Sequence, residues 1–423
     1  MSSTQQHHPP AAACPGCDLI LAAIPTPEHH AALCPRCRHL LHRDKHNPVV
    51  KTMALSLTGL LLYLPAICLP LLTMGILGSQ SEASIIGSTL QLIRQQQLLV
   101  GTVVLCTAIL FPLYLLTSLS LVSLGLLTRR RPPWLATLFR HYNQLGEWAM
   151  SDIYLVAVFI TVIKMNHSAT IDFNLGFYCF SGLVLVIIAA RSAVDRTLFW
   201  ALLDPARPGP EEPESANREQ PRKHTVCHSC HQTLWLPQGQ PPPLKCPRCR
   251  ALLHRRKKNS LSRTWALLVT AMLLSLPANL LPIMEVASFG VPERSTIMDG
   301  IVYFFQDGSY GIGIIILTAS ILVPLFKIIG MIIILLSIHC RWQRGLRHKA
   351  AMFRFIEFIG RWSMLDIFVI ALLCGLVQFG FLSTIKTAPA TLYFTGVVLS
   401  TMLAAITFDP RLLWDASSNI NQR

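Results

Sequence analysis

Eight of the 13 cysteines stand in four Cys-x-x-Cys pairs, and their spacing is that of a metal site. Cys14 and Cys17 precede Cys34 and Cys37 by a gap of 16 residues, and Cys227 and Cys230 precede Cys246 and Cys249 by a gap of 15. Each knuckle turns tightly enough to aim two sulfurs at one ion, and two knuckles joined by a hairpin complete a tetrahedron, as in a four-thiolate zinc ribbon. A redox Cys-x-x-Cys needs a thioredoxin-like αβ surround that this sequence lacks, and a reducing cytosol disfavours disulfides. The expected cofactor is therefore Zn2+ at two structural sites. Four thiolates leave no open coordination position, so each metal would hold a small domain together, and its loss should unfold that domain.

The second set of residues with chemical potential is charged and polar groups inside apolar runs. Asp366 lies in Gly360-Arg-Trp-Ser-Met-Leu-Asp366-Ile-Phe-Val-Ile, and the stretch recurs earlier as Gly146-Glu-Trp-Ala-Met-Ser-Asp152-Ile-Tyr-Leu-Val, 214 positions before. A carboxylate costs about 2.5 to 3.5 kcal/mol at the centre of a span, so such acids face a bundle interior or a water-filled cavity. Asn279, Ser320, Lys327, Ser363 and Thr401 join Asp366 in the second half, and Lys164 joins Asp152 in the first. Lys327 is 14 residues from Arg341, ~21 Å of helix, whereas Asp366 is only ~7.5 Å past Arg361. Those depths favour a water-linked network over a direct ion pair. Helix-start acids are also favoured by the dipole, and a lysine near a span's outer end also snorkels, which is the simpler reading of Lys164. Leu115 stands where the second half has Lys327, so the second half is expected to hold the working site.

The elements that position these residues follow from composition. The chain has 423 residues, 52% hydrophobic and 13% charged, with positive mean hydropathy. Its apolar runs are separated by basic clusters, which marks an all-α polytopic membrane protein. Spans are expected near 52–76, 98–127, 146–166 and 173–194, then near 264–288, 309–338, 359–380 and 388–408. The halves align as two parallel repeats of four transmembrane helices, each preceded by a cytosolic ribbon. Leu64-Pro-Ala-Ile-Cys-Leu-Pro70 matches Leu276-Pro-Ala-Asn-Leu-Leu-Pro282, and Asp195 to Trp200 matches Asp409 to Trp414. The paired prolines should kink the first span of each half.

The expected domains are a disordered tail (1–13, with His7 and His8), ribbon 1 (14–46), module 1 (52–200), a linker (201–224), ribbon 2 (225–258), module 2 (261–415) and a tail (416–423). Of the 36 Lys and Arg, 31 lie on one side of the spans, which places both ribbons and both termini in the cytosol. The first 50 residues are polar and unlike a signal peptide, so the first span is expected to be its own insertion signal. The net charge of +15 is accounted for by these flanks, and no nucleic-acid partner is expected. Nucleotide-binding loops, metalloprotease helices and nucleophile elbows are absent from the sequence, so no enzyme is expected.

Duplicated four-cysteine ribbons, each before four spans with Leu-Pro-x-x-x-Leu-Pro and Trp-x-Met-x-Asp, resemble the paraquat-inducible protein A family over nearly the whole chain. The stretches Ile321-Leu-Val-Pro-Leu-Phe-Lys327 and Arg411-Leu-Leu-Trp-Asp415 strengthen the likeness. The resemblance implies a multi-pass protein of the Gram-negative inner membrane that passes phospholipid between that membrane and a periplasmic MCE-domain tunnel protein. It also implies a role in envelope integrity. A different class of function stays open at this point: a non-transporting scaffold, or a metal or redox sensor, that recruits partners through its ribbons.

Overall fold

Proline pairs, and not the ends of the apolar runs, decide where the first span of each half stops. The computed structural model describes residues 11–22, 31–43, 45, 47–76, 79–165, 170–204, 223–236, 244–288, 291–342, 344–379 and 383–418. His7 and His8 and most of the expected linker lie outside the described residues. Strands β1 (Ala11–Ala13) and β2 (Ile20–Ala22) pair around the first knuckle, and β3 (Ala31–Leu33) and β4 (Leu40–Arg43) around the second. Helix α1 (Pro48–Cys68) then runs for 21 residues, about 31 Å, and ends eight residues earlier than expected. Pro65 sits in its last turn, where the Leu69 N–H still closes on the Pro65 carbonyl. Pro70 cannot donate and holds Leu69 extended at ψ 149°, so the chain leaves the helix there.

Beyond Pro70 the chain continues as a strand. β5 (Leu72–Ile76) pairs with β6 (Ser79–Ala83) and β7 (Thr170–Phe173) in the order β6-β5-β7, all antiparallel. Between β6 and β7 run α2 (Ile85–Arg94), α3 (Leu98–Val104), a π-helical turn (Leu105–Leu110), α4 (Phe111–Leu127), α5 (Pro133–Leu145) and α6 (Ser151–Met165). Helices α7 (Leu175–Ala193) and α8 (Arg196–Leu203) complete module 1.

The second half repeats the order. β8 (Lys223–Val226) and β9 (Thr233–Leu236) carry the first knuckle of ribbon 2. Then come α9 (Ser260–Leu280), β10 (Met284–Ser288), β11 (Val291–Ser295), α10 (Ile297–Gln306) and α11 (Tyr310–Leu317). A π-helical turn (Thr318–Leu322), α12 (Val323–His339), α13 (Leu346–Gly360), a 3-10 turn (Arg361–Met364) and α14 (Leu365–Leu376) come next. β12 (Ser383–Thr387), α15 (Ala390–Thr407) and α16 (Leu412–Ser418) end the described chain, with sheet order β11-β10-β12.

The all-α expectation thus needs correcting: the fold is mostly helical, but each half has a three-stranded sheet at the end opposite its ribbon. Seven helices among the described residues are long and apolar enough to cross a membrane. The expected span at 146–166 is the 15-residue α6, and its counterpart α14 reaches spanning length because the amphipathic α13 runs into it.

The halves are parallel and interlocked. The end of the expected tail is ordered, since Ala11–Ala13 is a strand of ribbon 1, and its Ala13 N–H donates to Thr233 Oγ1 of ribbon 2 at 3.0 Å, so both ribbons lie at one end. Helices α6 and α14 pack together at the centre, where the rings of the equivalent residues Tyr154 and Phe368 meet at a 55° tilt with centroids 5.2 Å apart. Helix α2 crosses onto α14 so closely that a Cβ at Gly375 would overlap Ser88. Gln95 at the end of α2 accepts from the Thr387 N–H (3.0 Å) and donates to the Ile385 carbonyl of β12.

Candidate transport site and metal centres

All four knuckles are built alike. The first cysteine of each pair donates its N–H to the carbonyl five residues on (Leu19, His39, Gln232 and Ala251), at 2.7 to 3.0 Å. The residue after the second cysteine (Asp18, Arg38, His231 and Arg250) takes a left-handed φ of 55° to 62°. Non-glycine residues adopt that conformation at a cost, and here it closes the turn that aims two thiols inward. Cys14, Cys17, Cys34 and Cys37 form one buried cluster, and Cys227, Cys230, Cys246 and Cys249 form the other. Sulfurs of opposite knuckles lie 3.5 to 3.6 Å apart. A tetrahedral ion with metal–sulfur bonds of about 2.3 Å places its ligands about 3.8 Å from one another, so the donor set and its size fit one thiophilic metal per cluster.

Each ribbon sits on the other half's module. Ribbon 1 packs against α13 and α16 of module 2, where Arg354 Nη1 donates to the Cys37 carbonyl (3.0 Å) and Arg347 Nε to the Arg36 carbonyl (3.1 Å). The Arg36 guanidinium lies over the Trp414 ring at 4.4 Å. Ribbon 2 packs against α5 and α8 of module 1, where Arg140, the counterpart of Arg354, donates to the Cys249 carbonyl. Arg248, the counterpart of Arg36, donates to the carbonyl of Trp200, the counterpart of Trp414. Arg256 ties the crossing by pairing with Asp18 of ribbon 1 (2.8 Å) and Asp415 of α16 (2.6 Å). Those two acids hold the Arg256 guanidinium above its ordinary range.

The polar residues of module 2 are placed by the π-helical turn, the 3-10 turn and the helices that flank them. Lys327 is 1% exposed on α12, and its Nζ donates to Ser363 Oγ in the 3-10 turn at 3.1 Å. One turn further along, Asp366 opens α14 with Oδ2 buried and without a hydrogen-bond partner. Ser320 of the π-helical turn and Lys164 at the end of α6 line the same 90 Å³ cavity as Asp366, near the sheet-end segment Ser295–Ile297. Lys164 therefore faces the acid of the opposite module, and its Nζ also lies 5.8 Å from the Phe304 ring. Thr401 is buried on α15 and spends its hydroxyl on the Val398 carbonyl. Asn279 lies on the exposed face of α9, donates to the Ser275 carbonyl and lines a second cavity that Ser320 shares. No Lys327–Asp366 ion pair is present among the described residues.

Asp152 is placed differently. Arg361 Nη2 reaches both of its oxygens at 2.8 and 2.9 Å, and also the Ala149 carbonyl. Arg361 and Tyr63 are functional candidates that the sequence did not single out. The alignment of the halves had the signals, Glu147 opposite Arg361 and Ser275 opposite Tyr63, but not their partners.

The family model for Paraquat-inducible protein A matches residues 49–204 and again 261–418, one match for each module. The chain is 35% identical to Lipophilic envelope-spanning tunnel protein A of Escherichia coli K12, over 97% of this chain and 92% of that one. It is 34% identical to Intermembrane transport protein PqiA of the same organism, over 95% of each chain. A protein of Haemophilus influenzae named Probable intermembrane transport protein is 28% identical over 95% of each. No solved structure matches the chain. With both modules matched and these relatives aligned almost end to end, the chain belongs to the paraquat-inducible protein A family.

Proposed function

We propose that this protein is the inner-membrane component of an intermembrane phospholipid transport system. It would pass lipid between the inner membrane and a periplasmic MCE-domain tunnel protein and so support envelope integrity. The observation that carries the reading is the polar site inside module 2, in which Lys327 is buried on Ser363 and Asp366 and Lys164 line a cavity at the sheet end. Buried charge inside a span is costly and marks a substrate or ion pathway. The relatives' names, which speak of intermembrane transport and of an envelope-spanning tunnel, supply the cargo's route. Two Zn2+ ions would fill the cysteine clusters, holding the ribbons as platforms under the modules. The ribbons spend much of their surface on this chain's own helices, which favours that structural role over recruitment of a separate partner.

Lys327→Met should accumulate in the membrane near wild-type levels, since exchanging a buried charge for an apolar residue of similar size is often neutral or stabilising. The same variant should fail to move phospholipid in vesicles reconstituted with the tunnel partner, and normal transport would remove this site from the mechanism. The charge asymmetry puts the ribbon end in the cytosol and the sheet end in the periplasm. A cysteine at Ser81 of β6 should accordingly react with an impermeant thiol reagent in spheroplasts, and protection there would reverse the orientation.

A further inference from the structure

Both modules share one backbone notch and fill it differently. In each, a π-helical turn lies just before a proline, Pro112 after Leu105–Leu110 and Pro324 after Thr318–Leu322. The wider turn and the missing proline N–H shift the ladder and leave carbonyls for other donors. In module 1 the Met150 N–H takes the Thr107 carbonyl at 3.2 Å, and Tyr63 of α1, whose ring is buried, reaches the Ile109 carbonyl with its hydroxyl at 2.7 Å. The counterpart of Tyr63, 212 positions on, is Ser275. Its short side chain turns back and donates to the Met272 carbonyl of its own helix, at 2.7 Å. Where the tyrosine ring would lie, module 2 has a cavity of about 170 Å³ between α9, α12 and α15, lined by Ser275, Ala278, Ser320, Ile321, Pro324 and Phe394. Its rim residues Asn279 and Leu325 lie on the exposed outer face of their helices.

We propose that this notch is a binding site for a segment of one phospholipid acyl chain, entered sideways from the bilayer between α9 and α12. The inference rests on the lipid-transport reading above and adds to it where the tail goes. The lining is mainly apolar, and the medium outside a spanning helix is itself acyl chain, so hydrocarbon is the occupant at hand. A dry apolar cavity of about 150 Å³ takes up a benzene-sized hydrocarbon, so this volume suits a few methylenes and not a whole chain. Ser320 is a wall of the notch and also a wall of the cavity holding Asp366 and Lys164. One lipid could therefore place its charged head against Asp366 and Lys164 while its tail crosses Ser320 into the notch. In module 1 the buried Tyr63 side chain takes the equivalent position, with its hydroxyl on the Ile109 carbonyl.

The test uses the full-length protein in vesicles containing phosphatidylethanolamine with a diazirine midway along one acyl chain, with cross-links mapped by mass spectrometry. Wild type should be labelled at the notch residues Ile321 and Ile328, the second of which is buried and so out of reach of bulk lipid, and not at Ile109 of module 1. Ser275→Tyr supplies the plug and should lose notch labelling, while Ser275→Ala should keep it. Tyr63→Ser opens the other notch and should gain labelling at Ile109, which decides the matter if Ser275→Tyr does not fold. Unchanged notch labelling in a folded Ser275→Tyr protein, or no gain in Tyr63→Ser, overturns the proposal. Labelling of buried residues that is confined to the Asp366 cavity overturns the notch and leaves lipid transport standing, whereas no labelling of any buried residue in module 2 counts against lipid transport itself.

Discussion

Residue by residue, the two modules keep one framework and part company at the site. Asn279, Ser320, Lys327, Ser363 and Thr401 of module 2 correspond to Ile67, Ala108, Leu115, Ala149 and Ile187 of module 1. Each of those five polar side chains has an apolar one as its twin. The two acids are shared, and they meet opposite fates because of one residue each. Asp152 is held by Arg361, whereas the residue equivalent to Arg361 in module 1 is Glu147, which carries the wrong sign to serve Asp366. In module 1 Tyr63 occupies the notch and Arg361 neutralises the acid, whereas module 2 has a cavity there and an acid that, among the described residues, no arginine covers. Duplication supplied a scaffold, and the difference lies in which copy was sealed.

The largest effect should come from the ribbons, because a structural zinc site contributes about 10 to 16 kcal/mol to folding its domain. Metal analysis should give two zinc ions per chain, and Cys34→Ser and Cys246→Ser should each lose one and lower the folded yield. The crossing makes a sharper forecast. Cys34→Ser should raise hydrogen exchange in α13 and α16 of module 2, and Cys246→Ser in α5 and α8 of module 1. Exchange that instead rose in the module following the damaged ribbon in the chain would mean the ribbons support their own halves.

How much of this was legible in the sequence depends on whether the signal was local. Cysteine spacing is local, and the four knuckles do bring their sulfurs together. Repeats are visible by self-comparison, and so were the helical runs. The sheets were not, because Leu72-Thr-Met-Gly-Ile76 reads as more of the same apolar span until Pro70 is understood to end it. The cross-module contacts had no sequence signal either: Asp152 stood out as an acid in an apolar run, but its partner Arg361 is 209 residues away and nothing local pairs the two. Lys164 looked like a snorkelling residue from its position in α6, and only the packing of α6 on the opposite module shows that it faces Asp366. Tyr63 opposite Ser275 was in plain view, but its meaning depends on a π-helical turn that composition does not announce.

The claim that Arg361 is what separates the two acids can be broken by a double-mutant cycle. Arg361 and Asp152 are each less than one-third exposed, so their pairing is sheltered but not fully desolvated. Hydrogen bonds to charged groups are worth roughly 1.5 to 3 kcal/mol, and removing one partner leaves the other uncompensated. Arg361→Gln should therefore lower the thermal stability of the purified protein, and adding Asp152→Asn should restore part of the loss. Additive effects of the two changes would show that the contact does not stabilise the junction, and the contrast between the acids would need another cause.

The smallest expected effect concerns the short helices at the sheet end, where the modules differ at the third helical position, Gly87 in α2 and Asp299 in α10. Ser84 caps α2 by accepting from the Gly87 N–H, and Thr296 caps α10 by accepting from the Asp299 N–H. Only the second cap is reciprocal, because the Asp299 carboxylate also accepts from the Thr296 backbone N–H at 2.9 Å and from its hydroxyl at 2.7 Å. Those bonds, the backbone one first, hold the Asp299 carboxyl below its ordinary range. A depressed folded-state pKa means that the carboxylate's contribution is complete above the unfolded-state pKa and is lost as pH falls through the folded one. Acidification into that range, or Asp299→Ala at neutral pH, should speed hydrogen exchange at the first turn of α10, after correction for the intrinsic pH dependence. The first turn of α2 should respond to neither, since Gly87 has nothing to titrate and α2 is pinned by α14 and by Gln95 on β12. An equal response in α2 would trace the change to the sheet end as a whole, and the cap would then not be what distinguishes the two helices.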